Sequence, residues 1–184
     1  MADSPSGFRL LPIESVCANI TSGGTPPRNV PSFFEAGTIP WFKTKELEDA
    51  PLTDAEEYIT EEALAKSSAK LLPANTVLMA MIGATIGKLG ILGRPAACNQ
   101  NSVALIVDEK QADHRYLFYL LLSKRDELIS LASGGAQAIL NAGVIRRFEL
   151  PFPPLPRQKA IGELLASIDE KILANKQTSH TLKS

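Results

Sequence analysis

The chain of 184 residues carries 19 Lys+Arg against 20 Asp+Glu, a formal net charge of −1, with 45% hydrophobic and 21% charged residues. That length supports one well-buried domain with an appendage rather than two ordinary domains. The near-neutral balance excludes a disordered chain and a uniformly basic coat for nucleic acid, so any contact with phosphate has to come from local clusters.

After a polar start over residues 1–7, the alternating apolar positions between Leu10 and Ile20 predict a short strand, ended by the turn residues SGGTPP. PSFFEAGTIPW leaves room for one helical turn, then Ile39 to Phe42 as a β-like segment running into KTKEL. From Glu46 to Glu62 the chain has eight acids and no base. Their spacing follows no helical period, so we read them as a solvated face, closed by Thr60 as N-cap of a helix reaching about Lys66. Val77–Ile82 and Lys88–Leu92 read as strands on either side of the glycine turn GATIG, and Ser102–Val107 as a third, buried strand of the same sheet. Asp113 is placed to cap a helix whose Tyr116, Leu117, Leu120, Leu121, Leu128 and Leu131 form an apolar face covering that sheet, with Gly134 at its C-terminal cap. GGAQAILNAG is expected to be a loop and VIRRFELPF a last strand. The block LPFPPLPRQ then acts as a stiff spacer into a final helix.

In that helix Ile161, Leu165, Ile168 and Ile172, continued by Asn175 and Leu182, alternate steps of four and three. The result is one narrow seam, with Lys159, Glu163, Glu170, Lys171 and Lys176 turned to water. Such a seam predicts a helix that projects from the body and pairs with a partner, Asn175 favouring one register at some loss of stability. From Arg157 to Lys183 it would span roughly 40 Å, close to the roughly 34–36 Å of one DNA turn.

Chemistry-bearing motifs are sparse. GATIGK has three residues between its glycines and Leu89 after its lysine, whereas a phosphate loop needs four and then Ser or Thr. No serine sits in a nucleophile elbow and neither histidine has a nucleophile or a paired carboxylate at hand. Cys17, Cys98, His114 and His180 lack zinc-site spacing, so no metal is expected. No basic leader with an apolar core opens the sequence and no apolar run approaches the roughly 20 residues that cross a bilayer, which predicts a cytoplasmic protein without membrane contact.

The charge map is more informative. No acid occurs from Ala63 to Val107, while Lys66, Lys70, Lys88 and Arg94 lie in or beside turns with the amide cluster CNQN at Cys98–Asn101. Arg28, Lys43 and Lys45 add basic loops earlier. Cations hold phosphates, and Asn or Gln read adenine in the major groove. The same residues also suit ordinary surface cations and turn amides. Residue types alone thus leave open a DNA-binding face, a homodimeric enzyme whose GATIGK and CNQN loops hold a small ligand, and a protein-interaction module that never touches DNA.

Six segments in order, SGGTPPR, IPWFKTKEL, AKSSAKLLPANTVLMAMIGATIGKLGIL, ACNQNSVALI, SGGAQAILNAGVIRRFELPFPPL and QKAIGELLASIDEKI, cover nearly the whole chain. They resemble the successive signatures of the specificity subunit of type I restriction-modification systems, here with one target recognition domain and one spacer helix where a typical member has two of each. The resemblance implies an α/β (α+β) fold: a small mixed sheet with covering helices over residues 1–153, followed by a long projecting coiled-coil helix over residues 154–184. It implies a subunit that reads half of a two-part site on double-stranded DNA and pairs its helix, antiparallel, with a second copy through Ile161, Leu165, Ile168, Ile172 and Asn175. It further implies a subunit without catalysis or cofactor of its own. S-adenosylmethionine-dependent methylation would belong to a modification subunit, and ATP/Mg-driven translocation and cleavage to a restriction subunit. By residue type and loop placement, Arg28, Lys43 and Lys45 are candidate phosphate or base readers, Lys88 a phosphate anchor, and Gln100, Asn101 and Gln137 candidate base readers.

Overall fold

A computed structural model describes residues 7–133 and 138–181, with side chains as far as Asn175. Gly134, Gln137, Leu182 and Lys183, each singled out above, lie outside the described residues. The chain opens with β1 (Arg9–Pro12) and β2 (Cys17–Ser22), separated by one 3-10 turn. A single strand was expected here. The bend arises because Ile13 and Val16 are both buried in the turn, where Ile13 N–H donates to the Phe148 carbonyl at 3.1 Å. β3 (Ile39–Phe42) falls where the sequence placed it. The acidic stretch, read as a solvated face, in fact contains two short strands, β4 (Ala50–Leu52) and β5 (Tyr58–Ile59). It then leads into α1 (Glu61–Lys66), whose first turn is capped as anticipated by the Thr60 hydroxyl accepting from Ala63 N–H.

β6 (Val77–Ala80), β7 (Leu89–Leu92), β8 (Ala97–Cys98) and β9 (Ser102–Val107) complete the central architecture. The main sheet has the order β2-β9-β6-β7-β4, antiparallel except for the β4–β7 pair. Both of its faces are buried. The two-residue period of a strand sends Val77, Met79, Val103 and Leu105 to one side and Leu78, Ala80 and Ala104 to the other. The first side packs against α2 (His114–Ser123) through Leu117, Phe118 and Leu121, and the second against Phe42, Leu47, Leu72 and Cys98. Each fully buried large apolar side chain contributes about 1.5–3 kcal/mol, so a one-residue slip of β6 or β9 would exchange the two sets and is strongly disfavoured. A second sheet, β5-β3-β8, gathers Phe33, Ile39, Trp41 and Ile59.

Asp113 caps α2 by accepting from Tyr116 N–H at 3.0 Å. The single helix expected there breaks at Lys124 into α2 and α3 (Arg125–Ser130), and Leu131, expected on the apolar face, is exposed. VIRRFELPF is not one strand. Asn141 accepts from Gly143 N–H at 2.7 Å and starts α4 (Ala142–Arg147), leaving only β10 (Glu149–Phe152) as strand, paired antiparallel with β1.

The prolines then turn the chain into α5 (Leu155–Thr181). Its first half does not project freely: it lies along α2. Gln158 is 2% exposed, its Nε2 donating to the carbonyls of Pro153 (2.9 Å) and Gln111 (3.2 Å) and its Oε1 accepting from Asp113 N–H (3.1 Å). Gly162 permits the close approach, since a Cβ there would stand 2.7 Å from Asp113 Oδ1. Ile161 packs on the core cluster beneath α2, and Tyr119 donates to Asp169 at 2.8 Å. Ile161, expected in a free seam, is therefore an intramolecular contact. Leu165 is half-buried, and Leu164, Ile168, Ile172, Leu173 and Asn175 are exposed. Among the described residues no helix is long and apolar enough to cross a membrane.

Candidate nucleic-acid interface

The loop that follows β2 is held by glycines for a steric reason. A Cβ on Gly23 would lie 2.2 Å from the Cys98 carbonyl oxygen and one on Gly24 2.1 Å from that of Ser68, so only glycine lets the SGG turn sit between them. Trp41, 2% exposed on β3, fastens the turn by donating Nε1–H to the Gly24 carbonyl at 2.9 Å. The chain then emerges at Thr25 and Arg28. The Arg28 guanidinium sits 4.7 Å from the centre of the Phe34 ring and 5.0 Å from that of Trp41, while its side chain stays 53% exposed.

β3 delivers Lys43 and Lys45 beside it. Lys43 Nζ donates to Glu57 at 2.6 Å and Glu56 at 3.1 Å, Lys45 Nζ stands 2.5 Å from Glu56, and Arg28 bonds Glu57. Glu46 ties the two loops together, its carboxylate accepting from Lys43 N–H and from Glu56 N–H, each at 2.8 Å. The hydrogen bond from Arg28 holds the Glu57 carboxyl below its ordinary range, and bonds from Lys45 and then Lys43 do the same for Glu56. Bonding to Glu57 raises Lys43. These shifts all favour the charged forms of Lys43, Glu56 and Glu57.

Three of the residues chosen from sequence, Arg28, Lys43 and Lys45, thus share one solvent-facing cluster. Gln100 bonds outside this cluster, accepting from the hydroxyl of Thr25, three residues before Arg28. Asn101 is half-buried, its carbonyl accepting from Met81 N–H at 2.9 Å. Lys88 belongs to a different cluster. It donates to Asp49 at 2.8 Å, and Asp49 also accepts from Leu89 N–H at 3.0 Å and from Arg125 of α3. Burial pushes the Asp49 carboxyl up, but these bonds outweigh it and hold the group below the usual carboxylate range. Gln137 lies outside the described residues.

Several participants escaped the sequence reading. Glu56 and Glu57 looked like generic surface acids, and Thr25 like turn filler. Arg94, noted only as a turn cation, stacks 5.8 Å from the Tyr58 ring centre and accompanies Asp54. Lys70 donates to Thr21 Oγ1 at 2.6 Å. The thiols offer no reactive group here, since burial pushes both Cys17 and Cys98 up to about 12. A groove of about 690 Å³ lies elsewhere, lined by residues that include Leu10, Leu131, Val144, Arg147 and Phe148, and none of the described candidate residues lines it.

Residues 5–184 match the family model described as type I restriction modification DNA specificity domain. The chain is 32% identical over 152 residues to the type I restriction enzyme EcoR124I/EcoR124II specificity subunit of Escherichia coli, covering 80% of this chain and 37% of that protein. It is 27% identical over 169 residues to the MjaIX specificity subunit of Methanocaldococcus jannaschii, covering 89% and 38%. Among solved structures, the HsdS subunit from Thermoanaerobacter tengcongensis superposes with a TM-score of 0.67 at 22% identity, over 96% of this chain and 41% of that one. The S subunit from M. genitalium superposes with a TM-score of 0.66 at 17% identity, over 95% and 42%. These likenesses are to the fold, and the chain spans about two fifths of the length of each of these relatives.

Proposed function

The chain belongs to the type I restriction modification DNA specificity domain family, and on that premise we propose that it reads one half of a two-part target on double-stranded DNA and serves as an assembly scaffold. The observation that carries this reading is the convergence of Arg28, Lys43 and Lys45, from two separate loops, on one solvent-facing cluster, with Gln100 bonded to Thr25 of the loop that carries Arg28. Cations of this kind position a duplex by its phosphates, while an exposed amide such as Gln100 reads base edges. In this reading the chain performs no catalysis. Methylation with S-adenosylmethionine and ATP/Mg-dependent cleavage belong to modification and restriction subunits assembled on it in the cytoplasm.

The outer half of α5 supplies the second part of the proposal. Ile168 and Ile172 are 44% and 46% exposed along it, about 40° apart on one face. Covering what remains open would add about 1 kcal/mol for each. A second copy, antiparallel and related by a two-fold axis, covers them and places two reading faces at opposite ends of the pair. Because Ile161 is already engaged in its own body, the pairing surface starts further along the helix than its heptad pattern suggests.

The test is fluorescence anisotropy with a labelled random-sequence duplex across a salt series. Replacing Arg28, Lys43 and Lys45 together by Gln should weaken binding at 50 mM salt by at least about tenfold and flatten the dependence of log K on log salt, whose slope is about −0.9 per phosphate neutralised. Unchanged binding by this triple variant would remove the cluster from the DNA interface.

A further inference from the structure

Each cation of the proposed DNA face is already occupied. Arg28 is bonded to Glu57, Lys43 to both Glu56 and Glu57, and Lys45 to Glu56, the lysine contacts spanning 2.5–3.1 Å. They bracket the about 2.7–2.9 Å of a charge-assisted bond from an ammonium group to an anionic oxygen such as that of phosphate. The two carboxylates come from one short segment between β4 and β5, and backbone bonds fix where that segment lies. Glu56 N–H donates to Glu46 at 2.8 Å, and the Glu57 carbonyl accepts from Trp41 N–H at 2.9 Å. Three positive groups share two carboxylates, and Glu46, bonded to the backbone N–H groups of Lys43 and Glu56, adds a third negative charge beside them. The patch that looks basic in sequence is locally neutral, and incoming phosphate has to compete with carboxylates that are already in place.

We propose that Glu56 and Glu57 are specificity-determining residues: they act as built-in competitors for phosphate and suppress sequence-independent attachment. Arg28, Lys43 and Lys45 are then shared between carboxylate and phosphate on any duplex and pass fully to DNA only where base contacts hold it in register. The inference rests on the reading of this cluster as the DNA face and adds the part played by its acids. It differs from a purely structural role, in which removing the carboxylates would loosen the loops and weaken binding.

The experiment compares the 184-residue chain with its E56Q/E57Q and R28Q/K43Q/K45Q variants on a random-sequence duplex from 25 to 200 mM salt. Freeing the cations should raise affinity of E56Q/E57Q at 50 mM salt by about tenfold and steepen the salt slope by about 2 to 3. Equal or weaker binding by E56Q/E57Q with an unchanged slope overturns the inference. If that happens while R28Q/K43Q/K45Q binds less than the unmodified chain, the DNA face stands and only the competitor role falls. If R28Q/K43Q/K45Q binds as well as the unmodified chain, the face itself is wrong. If neither the unmodified chain nor E56Q/E57Q binds at 25 mM, both readings fail. E56Q alone changes an exposed side chain whose backbone bond to Glu46 is kept and should fold normally, so a gain of roughly half the size in log affinity is expected from it even where the double variant is unstable.

Discussion

Gln158 is the residue whose replacement speaks most directly to how α5 is attached. Substituting Leu keeps a similar volume and removes three hydrogen bonds, to Pro153, Gln111 and Asp113. The Gln111 position is exposed and its carbonyl regains water, whereas Pro153 is buried and Asp113 half-buried. Leaving a buried polar group unsatisfied costs about 1–3 kcal/mol, so Gln158→Leu should lose roughly 2–5 kcal/mol. Against a typical total of about 5–15 kcal/mol this is a large shift. Urea unfolding followed by circular dichroism measures it, provided the m-value is unchanged. Gln158→Glu sharpens the reasoning: an ionised carboxylate still accepts from Asp113 N–H but cannot donate to either carbonyl. Its folded pKa should lie above its unfolded one, so its deficit relative to the native chain should be smallest below the unfolded pKa and grow as pH rises through the folded one. A loss under about 1 kcal/mol for Gln158→Leu would refute the claim that this side chain fastens the helix.

Other consequences follow from the same geometry. Gly24→Ala should lower stability by about 1–3 kcal/mol or more, because its Cβ meets the Ser68 backbone. Gly83→Ala, at φ +74° with open space around it, should cost only about 1 kcal/mol, and thermal melts that reversed this order would contradict the packing of the SGG turn. Burial holds His114 below its ordinary pKa, so its contribution is present above about pH 6.5 and is lost as pH falls through its lower folded value. His114→Gln should flatten the pH dependence of the melting temperature in that window. Ile168→Asp with Ile172→Asp should turn the proposed dimer into a monomer by light scattering while leaving the melting of the body unchanged. Ile161→Ala should instead destabilise the body by about 1–3 kcal/mol.

What was legible in the sequence was what local chemistry specifies. The caps at Thr60 and Asp113 and the strands β6, β7 and β9 could be read because an N-cap and a two-residue apolar period need no distant partner. β4 escaped because it is three residues long and pairs with β7, forty residues further on, so its stabilisation is entirely tertiary. VIRR was misread because two β-branched residues outweighed the Asn141 cap, which the fold uses. The docking of α5 was hidden for a different reason. The residues that make it, Gln158 and Gly162, are polar and small and leave no trace in an apolar periodicity. In the candidate site, residue type found Arg28, Lys43 and Lys45, but nothing in the local sequence indicates that their counter-ions arrive from the segment ahead of β5.

The pairing of β1 with β10 has a consequence for how such a chain changes over time. The strand entering the globule and the strand leaving it run side by side from Arg9 to Phe152, with Arg157 closing over Phe8 just outside them. Everything between is a closed bead on a folded thread. Recombination at that neck would exchange the proposed reading surface for another, while the stalk that carries it keeps its length, and keeps its direction wherever the incoming body offers the same seat to Gln158 and Gly162.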